Sequence, residues 1–150
     1  METFEIALER VRRSFDLDVY GCVIMPEHVH LLIGEPQHEP LATALKSLKQ
    51  GVSRRLIDKA EHFWQKRYYD LNIRNRAQFL EKLRYLHRNP VKRGLCELPE
   101  DWQWSSFLHY ATGIEGRVEI ESEWTAVRCE RAAGKLAPPT ELPHSSQKKA

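Results

Sequence analysis

Hydrophobic residues recur every three or four positions at the start of the chain. Between residues 4 and 15 these positions are Phe4, Ala7, Leu8, Val11 and Phe15. This spacing places them on one side of an α-helix and leaves the other side polar. The pattern therefore predicts an amphipathic helix over residues 4–15.

A different pattern follows the first helix. Residues 17–24 are rich in β-branched and aromatic side chains, residues 25–27 include a proline, and residues 28–33 form a second apolar run. Short apolar runs of this composition on either side of a turn are typical of strands. We predict a β-hairpin here.

Two further helices and a strand are predicted in the middle of the chain. Apolar residues spaced from Leu41 to Leu56 predict a second helix with basic flanks. Alternation over residues 63–73 predicts a strand with one buried face. Asn75, with Gln78 three residues later, is typical of a helix N-terminus, and this helix should run to about Asn89. A proline at position 90 then limits its extension.

The pattern weakens toward the C-terminus. Trp102 and Trp104 belong to an aromatic segment that we assign to packing. Little periodicity remains beyond residue 113. Residues 136–150, with prolines, serines and terminal lysines, are predicted to be disordered.

Length and composition limit the possible classes of protein. A chain of 150 residues fits one domain of common size. Its 23 basic and 21 acidic residues give a net charge of +2, unlike strongly basic histone-like proteins. Three scattered cysteines without a CxxC pair favour neither a disulfide framework nor a zinc knuckle. With no apolar run long enough to span a bilayer and no signal pattern, we expect a cytoplasmic protein.

Two histidines in the second predicted strand are the first candidates for chemistry. His28 and His30 are two residues apart, so both imidazoles leave the same face of a strand. Such a pair can chelate a divalent metal and leave coordination positions open to substrate. The alternative is a pair of ordinary surface histidines, which the spacing alone does not exclude.

The helix predicted after Asn75 supplies the other candidates. At about 100° per residue, Tyr85 points away from the apolar stripe of this helix, so its hydroxyl could meet a substrate. Asn89 lies on the same side, four residues later, and its amide oxygen could be a hard third ligand for Mg²⁺ or Mn²⁺. Without further information, Tyr85 is equally an ordinary surface residue and Asn89 a helix-end residue. His87 is predicted to be packed or hydrogen-bonded.

Four ordered motifs resemble one known family. They are Met25-Pro26-Glu27-His28-Val29-His30-Leu31-Leu32, Trp64-Gln65-Lys66-Arg67-Tyr68-Tyr69-Asp70, Arg84-Tyr85-Leu86-His87-Arg88-Asn89-Pro90-Val91-Lys92-Arg93-Gly94-Leu95 and Trp102-Gln103-Trp104-Ser105-Ser106. These runs closely resemble REP-associated tyrosine transposases, which are single-tyrosine transposases with a His-hydrophobic-His motif. The resemblance covers roughly residues 4–110.

The resemblance implies an α+β fold, with a ferredoxin-like antiparallel sheet and helices on one face. It implies a transposase catalytic domain over residues 1–113 and a C-terminal extension over residues 114–150. His28, His30 and Asn89 match the family's metal ligands for Mg²⁺ or Mn²⁺, and Tyr85 matches its nucleophile. Such an enzyme cleaves and rejoins single-stranded DNA through a 5′-phosphotyrosine intermediate.

Hairpin DNA with imperfect palindromes is the substrate that the resemblance implies. Basic residues in the middle of the chain are candidate phosphate contacts, each of which could instead be a solvated surface charge. They are Lys46, Lys49, Arg54, Arg55, Lys66, Arg67 and Arg88. The pattern leaves open whether the protein is a monomer or a homodimer.

One feature departs from the family. Its members usually begin with a strand in the middle of the sheet, whereas the first predicted helix here almost abuts Met1. A sheet lacking that strand would expose unpaired backbone groups, at a cost of several kcal/mol. We expect that the true start lies upstream, that the copy is degraded, or that two chains pair through the open edge.

Two other functions remain as hypotheses. A catalytically inactive or domesticated DNA-binding protein derived from such a transposase would keep the basic surface without the chemistry. A zinc hydrolase could use His28 and His30, although the hard Asn89 ligand and the lack of a nearby carboxylate argue against it.

Overall fold

The computed structural model describes residues 1–56 and 70–134. In chain order, its elements are helix α1 (Glu2–Phe15), strands β1 (Val19–Ile24) and β2 (Val29–Ile33), helices α2 (Leu41–Arg55) and α3 (Arg76–Lys92), a 3-10 turn (Pro99–Asp101), and helices α4 (Phe107–Thr112) and α5 (Glu123–Ala132). The predicted first helix, hairpin and second helix are confirmed. None of the described helices is long and apolar enough to cross a membrane.

Strands β1 and β2 form an antiparallel hairpin whose register decides which residues share a face. Val23 lies opposite His30, and Cys22 lies opposite Leu31. Paired residues point to the same side of a sheet and successive residues to opposite sides. His30 therefore shares one face with Val23, and the other face carries Cys22 and Leu31.

Helices α1 and α2 cover the face that carries Cys22. Leu8 and Val11 of α1 and Leu48 and Val52 of α2 are buried together with Cys22 in the larger hydrophobic core. The stripe predicted for the first helix is thus the stripe that the structure buries.

Helix α3 covers the opposite face. Leu83 and Leu86 pack with Val23 and Leu32 in a second, smaller core. The predicted α+β class with an antiparallel sheet is confirmed. The prediction placed the helices on one face, and α1 and α2 do share a face, but the tyrosine-bearing helix lies on the other.

Three local predictions differ from the structure. Helix α3 continues three residues beyond Asn89 to Lys92, with Pro90 inside it. Proline lacks an N–H to donate, but this costs only one bond so near the helix end, where Arg93 N still donates to Asn89 O at 3.0 Å. Of the predicted strand, residues 63–69 lie outside the described residues and residues 70–73 are not in a strand. Helix α5 was not predicted, although Ser122 caps it by accepting from Thr125 N at 3.4 Å.

The edge of β1 that faces away from β2 is occupied by the segment 102–106. Ile24 N donates to Trp104 O and Ser106 N donates to Cys22 O, each at 2.9 Å. Cys22 N donates to the Ser106 hydroxyl oxygen at 3.1 Å. The segment therefore satisfies the same backbone groups that a neighbouring strand would satisfy.

Two further carbonyl oxygens of β1 also have partners outside the hairpin. The Tyr110 hydroxyl donates to Tyr20 O at 2.6 Å, and Glu121 N donates to Val19 O at 2.7 Å. The outer edge of β1 is therefore covered by backbone and side-chain partners. Along β2, the described residues provide no third strand.

Part of the predicted C-terminal extension packs into the larger core. Val118 and Ile120 are 5% and 4% exposed and belong to the same cluster as Leu8. The domain boundary at residue 113 stays a prediction, and these contacts join residues beyond it to α1.

A buried histidine links α3 to the covered edge of β1. Ser106 Oγ lies 2.8 Å from His87 Nε2 and already accepts from Cys22 N, so its hydroxyl proton is free to donate to the imidazole. The rings of Phe107 and Tyr110 each lie with centroids 5.6 Å from the His87 ring. Burial lowers the pKa of His87 to about 4, so the imidazole is neutral near pH 7. The prediction of a packed, hydrogen-bonded His87 is confirmed.

Replacement of Tyr110 by phenylalanine tests how far the covered edge stabilises the fold. Tyr110→Phe leaves Tyr20 O without its donor, and we expect the free energy of unfolding to fall by about 1 kcal/mol. Urea denaturation measures the change. Tyr20→Phe is the matched control, because the Tyr20 hydroxyl donates to the exposed side chain of Asp18, at 3.5 Å, rather than to a backbone group of β1. An equal loss in both variants would contradict this account.

His87 should make stability depend on pH. Its pKa in the folded state lies below the unfolded value, so its contribution is complete above about pH 6.5 and is lost as pH falls toward pH 4. We expect a loss on the order of 2 kcal/mol between about pH 7.5 and pH 5. Urea denaturation of the parent chain and His87→Gln at both pH values isolates this term. A pH dependence that is the same in both proteins would show that His87 does not cause it.

Candidate metal and nucleophile site

The two histidines of the motif meet on the α3 side of the hairpin. His28 immediately precedes β2 and His30 lies within it, so strand alternation sends both rings to one face. Their Nε2 atoms are 3.0 Å apart. The ring centroids are 4.7 Å apart, and the ring planes are nearly perpendicular at 84°.

Asn89 reaches the same point from α3. Its side-chain Nδ2 lies 2.8 Å from His30 Nε2. Asn89 is only 6% exposed, so its amide is a buried polar group directed at the imidazole. The structure thus brings together the three ligands predicted from sequence, although 59 positions separate Asn89 from His30.

The spacing of these donors fits a small divalent ion. Two ligands at right angles, each about 2.1 Å from an octahedral ion, lie about 3.0 Å apart. Two observed distances are close to that value. The Nε2 atoms of His28 and His30 are 3.0 Å apart, and Asn89 Nδ2 is 2.8 Å from His30 Nε2. Rotation of the Asn89 amide by half a turn would present its oxygen, the atom that Mg²⁺ or Mn²⁺ prefers. Among residues 1–56 and 70–134, no cluster of three His, Cys, Asp or Glu residues offers an alternative.

His30 sits in an environment that favours its neutral form. Partial burial, and to a smaller extent the neighbouring His28, lower the pKa of His30. A neutral imidazole has a lone pair to offer a metal, whereas a protonated one does not. The environment thus keeps His30 able to act as a ligand near neutral pH.

Tyr85 lies beside this cluster with its side chain accessible. It is 47% exposed, as expected for a residue off the apolar stripe of α3. Its ring centroid is 5.8 Å from that of His30, and the two rings meet edge to face at 81°. An exposed phenol next to three convergent ligands is an arrangement suited to nucleophilic attack on a metal-bound substrate.

Two lysines that were not predicted as site residues flank Tyr85. Lys92 Nζ lies 5.1 Å from the centre of the Tyr85 ring, and Lys82 Nζ lies 5.9 Å from it. They are seven residues after and three residues before the tyrosine. Both separations place side chains on the same side of a helix, so this spacing was the available signal.

An ion pair connects the turn before His28 to the end of α3. Arg93 Nη2 donates to a carboxylate oxygen of Glu27. Both side chains are largely exposed, so the pair contributes little to stability. The ion pair instead helps to position the site, because it joins the residue next to His28 to the end of the helix that carries Tyr85 and Asn89.

The candidate DNA contacts are divided between two faces. Arg88 is exposed on α3, three residues after Tyr85. Four others lie on α2, which packs on the opposite side of the hairpin; they are Lys46, Lys49, Arg54 and Arg55. Lys66 and Arg67 lie outside the described residues. Among the described candidates, only Arg88 shares a helix with Tyr85.

Known proteins resemble this chain over the region that contains the site. Residues 2–89 match the family model described as transposase IS200 like, so the match includes all four site residues from His28 to Asn89. A protein of Haemophilus influenzae, provisionally named a REP-associated tyrosine transposase, is 28% identical over 117 residues, which are 69% of this chain and 66% of the relative. The REP-associated tyrosine transposase of Escherichia coli K12 is 26% identical over 102 residues, or 67% of this chain and 61% of the relative. The chain thus covers just under two thirds of the length of these relatives.

A solved structure shares the fold. It is a REP-associated tyrosine transposase bound to a REP hairpin, with a TM-score of 0.68 and 23% sequence identity, covering 81% of this chain and 73% of that one. At this identity, the match supports the architecture of α3 against the hairpin. Because the family model matches more than half of the sequence, the chain belongs to the family of IS200-like transposases.

Proposed function

We propose that this chain is a metal-dependent DNA strand transferase of the cytoplasm that cleaves and rejoins single-stranded DNA at hairpin, REP-like sequences. The observation that carries the proposal is the convergence of His28, His30 and Asn89 beside the exposed hydroxyl of Tyr85. The names of the two bacterial relatives and the hairpin bound by the structural neighbour support the choice of reaction and substrate.

His28, His30 and Asn89 would hold Mg²⁺ or Mn²⁺, which when bound polarises a phosphate and stabilises charge on its non-bridging oxygens. All three side chains are uncharged ligands when the histidines are neutral. They would therefore leave the positive charge of the ion available to the DNA rather than neutralise it. A ligand set of carboxylates would do the opposite.

Tyr85 would attack the phosphorus of the scissile phosphodiester. A new bond forms between Tyr85 Oη and phosphorus, and the bond from phosphorus to the 3′ oxygen breaks. The phenol proton leaves to water, and the departing 3′ oxygen takes up a proton to become a hydroxyl. The 5′ phosphate remains joined to Tyr85, so the energy of the phosphodiester is kept for rejoining without a nucleotide cofactor.

Residues 1–113 would supply this catalytic unit, with residues 114–150 as an extension. The basic residues on α2 would then contact the DNA away from the cleaved bond, because α2 lies across the hairpin from Tyr85. Arg88 would contact phosphates close to it. These contacts would position the strand without reading its sequence.

Formation of a covalent DNA adduct tests the proposal. The chain is mixed with Mg²⁺ or Mn²⁺ and a labelled pool of single-stranded oligonucleotides that carry imperfect-palindrome hairpins with randomised flanks. We expect an adduct that survives denaturing electrophoresis in the parent chain and disappears in Tyr85→Phe, because phenylalanine has no hydroxyl to attack phosphorus. Sequencing of the trapped DNA then gives the substrate.

Tyr20→Phe is the matched control, since it removes a tyrosine hydroxyl that hydrogen-bonds to Asp18 and not to the candidate ligands. It should form adduct at the rate of the parent chain. An adduct of undiminished yield in Tyr85→Phe would remove Tyr85 as the nucleophile.

A further inference from the structure

We propose that Lys92, assisted by Lys82, binds the DNA backbone at the phosphate that Tyr85 attacks. This inference rests on the proposed function, since it takes Tyr85 as the nucleophile. It adds residues that touch the substrate and that are neither metal ligands nor part of the basic surface predicted from the sequence.

The two lysines and Tyr85 lie along one side of the helix. At about 100° per residue, Lys92 is only about 20° from the direction of Tyr85, and Lys82 is about 60° from it on the other side. The ammonium groups lie 5.1 Å and 5.9 Å from the centre of the Tyr85 ring. The Tyr85 ring therefore has an ammonium group near it on each side along the helix axis.

The charge of Lys92 is available to a ligand. Several other basic side chains among the described residues form ion pairs with carboxylates, as Arg93 does with Glu27 and Arg128 with Glu115. Lys92 is exposed and makes no ion pair in residues 1–56 and 70–134; its contact there is the Tyr85 ring. Lys82 lies 3.6 Å from a Glu81 oxygen, so its charge is partly compensated.

The contact with the ring is one that a phosphate can replace. A lysine at the face of an exposed aromatic ring is held weakly, whereas an ammonium bonded to a phosphate oxygen makes a charge-assisted hydrogen bond. In the free protein, the two ammonium groups thus lie beside the ring that carries the attacking hydroxyl. When DNA binds, both ammonium groups can move from the ring to the phosphate. Lys92 can do so without breaking an ion pair with a described residue, whereas Lys82 would give up its contact with Glu81.

Such a contact would act on both binding and rate. A lysine bonded to the attacked phosphate or to its neighbour holds the phosphorus within reach of Tyr85 Oη. It also offsets the negative charge that builds up on the non-bridging oxygens as the new bond forms. Lys92 should dominate, because it is nearer to the ring and its charge is not shared with a carboxylate.

Two measurements on the same variants test this role. The first is the salt dependence of binding, by fluorescence anisotropy, of a hairpin oligonucleotide trapped as described above, or of the hairpin pool if no adduct forms. It is made in the Tyr85→Phe background, which keeps the ring but cannot cleave. The second is the single-turnover rate of adduct formation with saturating DNA in the presence of Tyr85.

The affinity for DNA falls as salt rises, and we expect Lys92→Gln to make this negative slope of log affinity against log salt shallower by about one. The same substitution should slow adduct formation about tenfold or more. Lys82→Gln should produce smaller changes in the same direction. Lys92→Arg, which keeps the charge, should restore most of the rate. Arg131→Gln, which removes an exposed charge from α5, is the matched control and should change neither quantity.

The outcomes separate this inference from the proposed function. An unchanged slope and rate in Lys92→Gln, or equal changes in Arg131→Gln, would overturn the role of Lys92. A reduced slope in Lys92→Gln without any adduct in the parent chain would keep the phosphate contact and remove Tyr85 as nucleophile. If neither the trapped oligonucleotide nor the hairpin pool binds, both proposals fail.

Discussion

Helix α3 packs against β1 so closely at Gly21 that a Cβ atom there would lie 2.8 Å from Leu83 Cδ1. The absence of a side chain at this position lets the leucine occupy the space over the strand. Because Val23 and His30 are paired on the same face as Gly21, the helix that packs here also faces the histidine motif. The contact between Asn89 and His30 depends on this approach, since two elements distant in the sequence must meet to within hydrogen-bond distance.

A second contact holds α3 in place at the outer edge of β1. His87 accepts from the Ser106 hydroxyl, and the Ser106 backbone in turn covers the edge of the strand. Because positions two apart on a helix point in nearly opposite directions, α3 makes contacts on two of its sides. His87 points to the covered edge, whereas Tyr85 and Asn89, two residues before and after it, point to His30. The segment after α3 therefore supports the helix that carries Tyr85 and Asn89.

The sequence was informative where a residue's surroundings follow from local periodicity. The stripe of α1, the hairpin, the common face of His28 and His30 and the exposure of Tyr85 all follow from repeats of two or 3.6 residues. The spacing of four residues from Tyr85 made Asn89 a candidate ligand and the family resemblance supported it, but no local pattern encodes its contact with His30. The covering of β1 by residues 102–106 was missed because backbone pairing with an irregular segment leaves no periodic signal. The extension of α3 past Pro90 was missed because the rule that proline ends helices weakens in the last turn.

Lys82 and Lys92 illustrate a different limit. Their spacing from Tyr85 is visible in the sequence, but lysines on a helix are usually solvated, so spacing alone did not distinguish them from Lys46 or Arg54. The structure distinguishes them by their contact with one ring and by the side of the hairpin on which they lie. Charge next to a candidate nucleophile is therefore a stronger indication of function than charge density along the chain.

The central claim is that His28, His30 and Asn89 hold one divalent ion beside Tyr85. Electron spin-echo modulation of Mn²⁺ added to the DNA-free protein tests it most directly, because the modulation counts imidazole nitrogens bound to the ion. We expect one Mn²⁺ per chain coupled to two histidine nitrogens, falling to one in His28→Ala, with weaker Mn²⁺ binding in Asn89→Leu. Mn²⁺ that binds without nitrogen coupling, or equally well after both histidines are replaced, would contradict the account.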